Sequence, residues 1–129
     1  MVCDCSDLIG RPFQRGADGS GDEIDCIHLV YEVLDRLGIE TPPFKQDWYT
    51  ATTRQVARDL LLWGRRIERP EYDGDILLLR ESSWAFAVTW QNGILYINRH
   101  LHKVAWGPVS LFIDPISFRT KGKLLTSLG

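Results

Sequence analysis

No stretch of this sequence approaches the roughly 18 consecutive apolar residues that a membrane-spanning helix requires, so no span is expected. Excess positive charge is lacking as well. Fifteen Lys and Arg stand against 17 Asp and Glu, for a net charge of −2, and no nucleic-acid surface is expected from such a balance. Cysteine is scarce: three in 129 residues, an odd number that excludes a fully paired disulfide framework. Repeats, low-complexity tracts and Gly/Ser-rich linkers are absent, and the length suits one domain over residues 1–129. The opening residues, Met1 to Asp7, are acidic and short of apolar side chains, unlike a secretory signal. The expectation is a cytoplasmic protein, or one that leaves by a route the sequence does not display. What remains is globular in composition, 44% hydrophobic and 25% charged, near the average for folded domains.

The two halves differ. Residues 1–70 read as loop and helix and residues 75–119 as short strands, which points to an α+β domain. Ile24, Ile27, Val30, Tyr31, Leu34 and Leu37 recur at three- and four-residue spacing, predicting an amphipathic helix over 24–37. Asp22 or Asp25 can cap its start, and Gly38 sits where a left-handed C-terminal cap belongs. Thr41-Pro42-Pro43 forbids continuation. A second helix is predicted over 53–63, entered through Thr50, Thr52 or Thr53 and stopped at Gly64. The apolar run 75–80 reads as a central strand. Gln91-Asn92-Gly93 between the apolar runs 84–90 and 94–97 is a strong hairpin signal. Further strands are expected at 102–106, 109–113 and 116–118, giving a meandering antiparallel sheet with the first helix packed on one face.

Cys26 falls in the first turn of the first helix. Free backbone N–H groups and the helix dipole favour a thiolate there, and the same N–H groups can hold an oxyanion on a reacting carbonyl. The competing reading of a free cysteine is a small buried hydrophobe. Cys3 and Cys5, at a terminus expected to fray, carry no assigned task. Together with two of His28, His100 and His102 they could supply four metal ligands on paper, but Cys-x-Cys is not a usual zinc spacing, and no metal or other cofactor is assigned.

The pieces occur in a telling order: Gly10-Arg11-Pro12-Phe13 with Gly16, then Asp25-Cys26-Ile27-His28-Leu29-Val30, then Leu37-Gly38-Ile39, then Asp73-Gly74-Asp75-Ile76-Leu77, then the hairpin at Asn92-Gly93. Over residues 8–106 the chain resembles the NlpC-type family of papain-like cysteine peptidases. That family reads approximately G-x-P-Y-x-W-G-G, D-C-S-G-L-V, l-G-i, G-D-l-v-f and H-V-G-I-Y-x-G-x-G. The resemblance implies a papain-like fold in which a nucleophile-bearing helix packs on an antiparallel sheet. It implies peptide or amide hydrolysis of the γ-D-glutamyl-diamino-acid endopeptidase type, with a peptide or a peptidoglycan stem peptide as partner. It also implies a phage or prophage tail as one context, and hence export within a phage particle.

Matched position by position, Cys26 is the nucleophile, Asn98 the orienting polar residue and Asp25 the acidic neighbour that helps to bind substrate. Phe13 stands where the family has Tyr, while Ile27 and His28 replace Ser and Gly. The position of the family's base histidine is Ala85, which cannot accept a proton. Cys-His chemistry needs an imidazole within reach of the sulfur rather than a given chain order. If the strand continues, Asn98, His100 and His102 project from one face, which makes His100 the first candidate base and His102 the second. His28, about 200° round the helix from Cys26, is the third. Trp84 and Trp90 share strand parity and either line a substrate groove, Trp84 in particular, or pack in the core. Arg65, Arg66 and Arg69, interleaved with Glu68 and Glu71, read as a solvated face. Two functions therefore stand: a thiol hydrolase with a displaced base, or a catalytically degenerate member that keeps the fold as a binding or structural module. Oligomeric state is not legible.

Overall fold

Asp25 begins the first helix because its side chain can satisfy an amide that the helix leaves free. In the computed structural model, which describes residues 4–41, 45–80, 84–112 and 114–120, helix α1 spans Cys26–Leu37, and Asp25 accepts from the His28 amide at 2.8 Å. Ile24, expected inside the helix, is instead extended and bridges to Phe13 and Asp18. Gly38, at φ 72°, closes α1 by donating to the Asp35 and Leu34 carbonyls, as its position suggested. Helix α2 (Thr53–Trp63) starts in a capping box, with the Thr52 and Gln55 side chains each bonded to the other's backbone N–H, which satisfies two otherwise orphaned donors.

Six strands follow: β1 (Gly64–Ile67), β2 (Ile76–Arg80), β3 (Trp84–Trp90), β4 (Gly93–Asn98), β5 (Lys103–Gly107) and β6 (Ile116–Thr120). They form one antiparallel sheet in the order β1-β6-β2-β3-β4-β5. The meander β2 to β5 and the α+β class agree with the sequence pattern. The rest of the order does not follow from a meander, since β6 returns to lie between β1 and β2. Strand β1 falls inside the half read as loop and helix. Its Arg65 and Arg66 are solvated, as their composition implies, but on a strand. Residues 109–111, read as strand, form a single 3-10 turn after Pro108.

Strand alternation sorts the side chains onto two faces. Ile76, Leu78, Phe86, Val88, Leu95 and Phe118 pack beneath α1 in the main core. Leu77, Leu79, Ala87 and Ile94 form a smaller cluster on the other face with Ala85, Tyr96 and Phe112 against it. Cys5, expected to fray, is fully buried in the main core; Cys3 lies outside the described residues. The β3–β4 hairpin closes through a two-residue turn with φ 48° at Gln91 and 63° at Asn92. Gly93 begins β4, and a Cβ there would lie 2.7–2.8 Å from the Trp106 indole, whose Nε1 donates to the Trp90 carbonyl at 2.8 Å. Glycine here makes room for an aromatic ring. Among the described residues no helix is long and apolar enough to cross a membrane.

Candidate active site

Cys26 is the first residue of α1; the sequence placed it in the first turn of a helix starting at Ile24, and the helix begins two residues later. The β3–β4 ladder runs from Trp90 to Val88, and the Phe86 amide, just beyond it, points toward β4 by alternation. It bonds the Cys26 sulfur, and the amides of Cys26 and Ile27 bear on the same atom. These are the donors expected at a helix start. They are nevertheless outweighed: burial pushes the thiol up to about 11, and the charge of neighbouring Asp25 adds to that rise, while the three amides only partly oppose it. Desolvation penalises the anion more than the amides stabilise it. At neutral pH the group is a thiol. No imidazole is among the principal influences on the sulfur.

Asp25 is 2% exposed and both of its oxygens are engaged. Oδ1 takes the His28 amide at 2.8 Å and lies 2.8 Å from His28 Nδ1. Oδ2 takes the Gly16 amide at 3.2 Å and the Tyr49 hydroxyl. The His28 ring is thus directed at the carboxylate beside Cys26. Tyr49 comes from a 3-10 segment, Gln46–Thr50, between the helices. Arg15 holds that segment, donating from Nη2 to the Tyr49 carbonyl at 2.6 Å with its guanidinium 5.8 Å from the ring centroid. Burial, with the bond to Asp25 second, raises the Tyr49 phenol well above its ordinary range. Tyr49, with Arg15 and Phe86, is among the members of this group that the sequence reading did not single out. A tyrosine in an inter-helix loop belongs to no periodic pattern, and only the buried carboxylate it reaches explains it.

The other proposed residues lie elsewhere. The strand does not continue past Asn98: Arg99 to His102 form the β4–β5 turn, so the alternation invoked to set Asn98, His100 and His102 on one face does not apply. Asn98 Oδ1 accepts from the His100 and Leu101 amides at 3.0 and 3.1 Å, an arrangement that shapes the turn. Its parity is that of Ile94 and Tyr96, which pack on the face away from α1. His100 and His102 are exposed, and the His102 carbonyl takes the Phe13 amide at 2.8 Å. Phe13 is half-buried beside Ile24. Ala85 packs with the cluster on the far face. Trp84 opens β3, but its side chain lies outside what the structure describes; Trp90 is in the core.

A surface cavity of about 420 Å³ lies beside the start of α2, between Lys45, Trp48, Arg58 and Asp59, and neither Cys26 nor Asp25 lines it. Trp48 Nε1 donates to Asp59 at 2.8 Å and Lys45 pairs with the same carboxylate at 3.3 Å. Among the described residues no group of three or more His, Cys, Asp or Glu is placed to hold a metal ion. No protein-family model matches the chain, and no curated protein matches it.

Proposed function

We propose that this domain is a papain-fold module of NlpC type that has lost catalysis and serves in binding or in assembly, with a phage or prophage tail as the context its resemblance suggests. The observation that carries this reading is where the candidate bases lie: the His28 ring is held at the Asp25 carboxylate, His100 and His102 are exposed in the β4–β5 turn, Ala85 packs on the far face, and burial pushes the Cys26 thiol up to about 11. A cysteine nucleophile needs a depressed pKa or an adjacent base. Burial opposes the first here, and the described contacts offer no second.

The reading of a thiol-dependent amide hydrolase retains one observation in its favour. The Phe86, Cys26 and Ile27 amides act on the sulfur and pull its pKa down, as they would to stabilise a thiolate nucleophile. One pair of measurements separates the two. Alkylation of Cys26 by iodoacetamide at pH 6–7, slower than for a free thiol, supports the degenerate module. Hyperreactivity there, together with release of fragments from purified peptidoglycan by the wild type but not by Cys26→Ala, establishes the hydrolase instead.

A further inference from the structure

The two edges of the sheet are treated differently. On the β5 side the chain covers its own edge: the Val104 amide donates to the Arg11 carbonyl at 2.9 Å, Gly10 donates to the Val104 carbonyl at 2.8 Å, and Pro12 bridges Lys103. On the β1 side, among the described residues, the last strand pairs only with β6; its Gly64 amide is taken by the Leu60 carbonyl at the end of α2, and by alternation the next outward-facing N–H and C=O are those of Arg66. A bare strand edge presents N–H and C=O groups at the spacing another extended chain needs.

Two cations, Arg65 and Arg66, lie on that edge strand, with Arg69 just beyond it and Glu68 between. Arg65, Arg66 and Arg69 are exposed and, among the described residues, have no carboxylate partner. Other arginines are occupied: Arg36 by Asp7 and Glu32, Arg119 by Asp75 and Glu71, Arg11 and Arg15 by backbone carbonyls. Arg65 lies directly across from Arg119, and like charges facing each other across a ladder are unfavourable unless something neutralises them. Asp75 and Glu71 already engage Arg119, which leaves Arg65 uncompensated. Alternation puts Arg65 and Arg66 on opposite faces of β1, Arg66 on the side of Phe118.

From this geometry we infer that the outer edge of β1 docks an extended acidic peptide, added as a seventh strand, with neighbouring carboxylates reaching Arg65 on one face and Arg66 on the other. The backbone edge fixes the extended conformation and the guanidinium pair selects charge. Because the two cations face opposite ways, the partner must carry acidic residues at consecutive positions. Leu62, 76% exposed at the end of α2, offers an apolar contact beside them. Two strands separate β1 from β3, which lies under Cys26, so loss or discovery of thiol reactivity leaves this interaction untouched.

The test uses the full chain and a fluorescein-labelled acidic hexapeptide, Val-Glu-Glu-Val-Glu-Glu. Fluorescence anisotropy is expected to show binding, and hydrogen exchange at the outward-facing Arg66 amide is expected to slow when peptide is present. The Arg65→Ser/Arg66→Ser double variant, with unchanged thermal melting, is expected to bind about tenfold more weakly. Absence of binding overturns the inference. So does equal binding of a peptide N-methylated at alternate residues, or equal competition by polyphosphate, since either result marks a charge patch without strand addition.

Discussion

His28 Nδ1 and Asp25 Oδ1 lie 2.8 Å apart across three residues of chain, and this short span decides how the start of α1 behaves. A histidine at the third helical position reaches back to its own N-cap, so the carboxylate that caps the helix also holds the ring. The imidazole nearest in sequence to Cys26 is thereby engaged with a carboxylate.

Alkylation of Cys26 by iodoacetamide should follow thiolate formation with a midpoint near pH 11. At pH 7 its thiolate fraction is then about 10²-fold below that of a free cysteine, which titrates near 8.5. A reactivity plateau at pH 6–7 contradicts this.

Folding stability should decline on the alkaline side for the same reason. The folded chain holds the Cys26 proton more tightly than the unfolded chain does. The contribution is therefore complete below about pH 8.5 and disappears as pH rises towards 11, on the order of 3 kcal/mol in all. Urea titrations from pH 8 to 11 should show this slope in the wild type and a shallower one in Cys26→Ala.

Removing the Asp25 carboxylate strands several donors at once. Asp25→Ala should cost about 3 kcal/mol, from loss of the cap and of partners for buried amides. Tyr49→Phe, which deletes only one bond to Oδ2, should cost about 1 kcal/mol. Equal losses in chemical denaturation would mean that the cap contributes nothing beyond the tyrosine contact.

Two hydroxyls on the sheet's second face, Thr89 Oγ1 and Ser117 Oγ, are buried, and among the described residues neither has a hydrogen-bond partner. An unpaired buried hydroxyl costs roughly 1–3 kcal/mol. Thr89→Val, which preserves shape, should therefore leave the melting temperature unchanged or raise it. A clear drop would reveal a bond to an ordered water.

At the hairpin, Gly93→Ala should destabilise by more than 1 kcal/mol, because the added methyl would meet the Trp106 indole, and overpacking of this kind costs about 1–3 kcal/mol. Gln91→Gly should act in the opposite sense. Gln91 sits at φ 48°, and glycine relieves that left-handed strain by up to about 1 kcal/mol. Thermal melts of the two variants should move in opposite directions.

The sequence was readable where local chemistry and packing agree. Asp25, Gly38, Thr52 and Gly64 mark helix ends through backbone needs that act over a few residues, and Asn92-Gly93 does the same for the hairpin. Strand β1 was not readable. Gly64-Arg65-Arg66-Ile67 has no alternating apolar pattern, because it is an edge strand exposed along most of its length, and it pairs with β6 some fifty residues away. The group around Cys26 was half readable: the Asp25-Cys26 start of α1 is local, whereas Tyr49 and Phe86 arrive through tertiary packing. The grouping of Asn98 with His100 depended on a strand continuing through Arg99, and the Asn98 side chain itself turns the chain there.

The insertion of β6 between β1 and β2 has a kinetic consequence. Strands β2 to β5 can assemble by neighbouring hairpins, each closing a short loop. Strand β1 has no partner until β6 arrives, and joining Arg66 to Phe118 closes a loop of about fifty residues at an entropic cost that must be met before the contacts return anything. Until then β1 and the end of α2 are tethered to an incomplete sheet. The edge opposite the meander should be the last part of the molecule to acquire protected amides on refolding, and the first to lose them under mild denaturant.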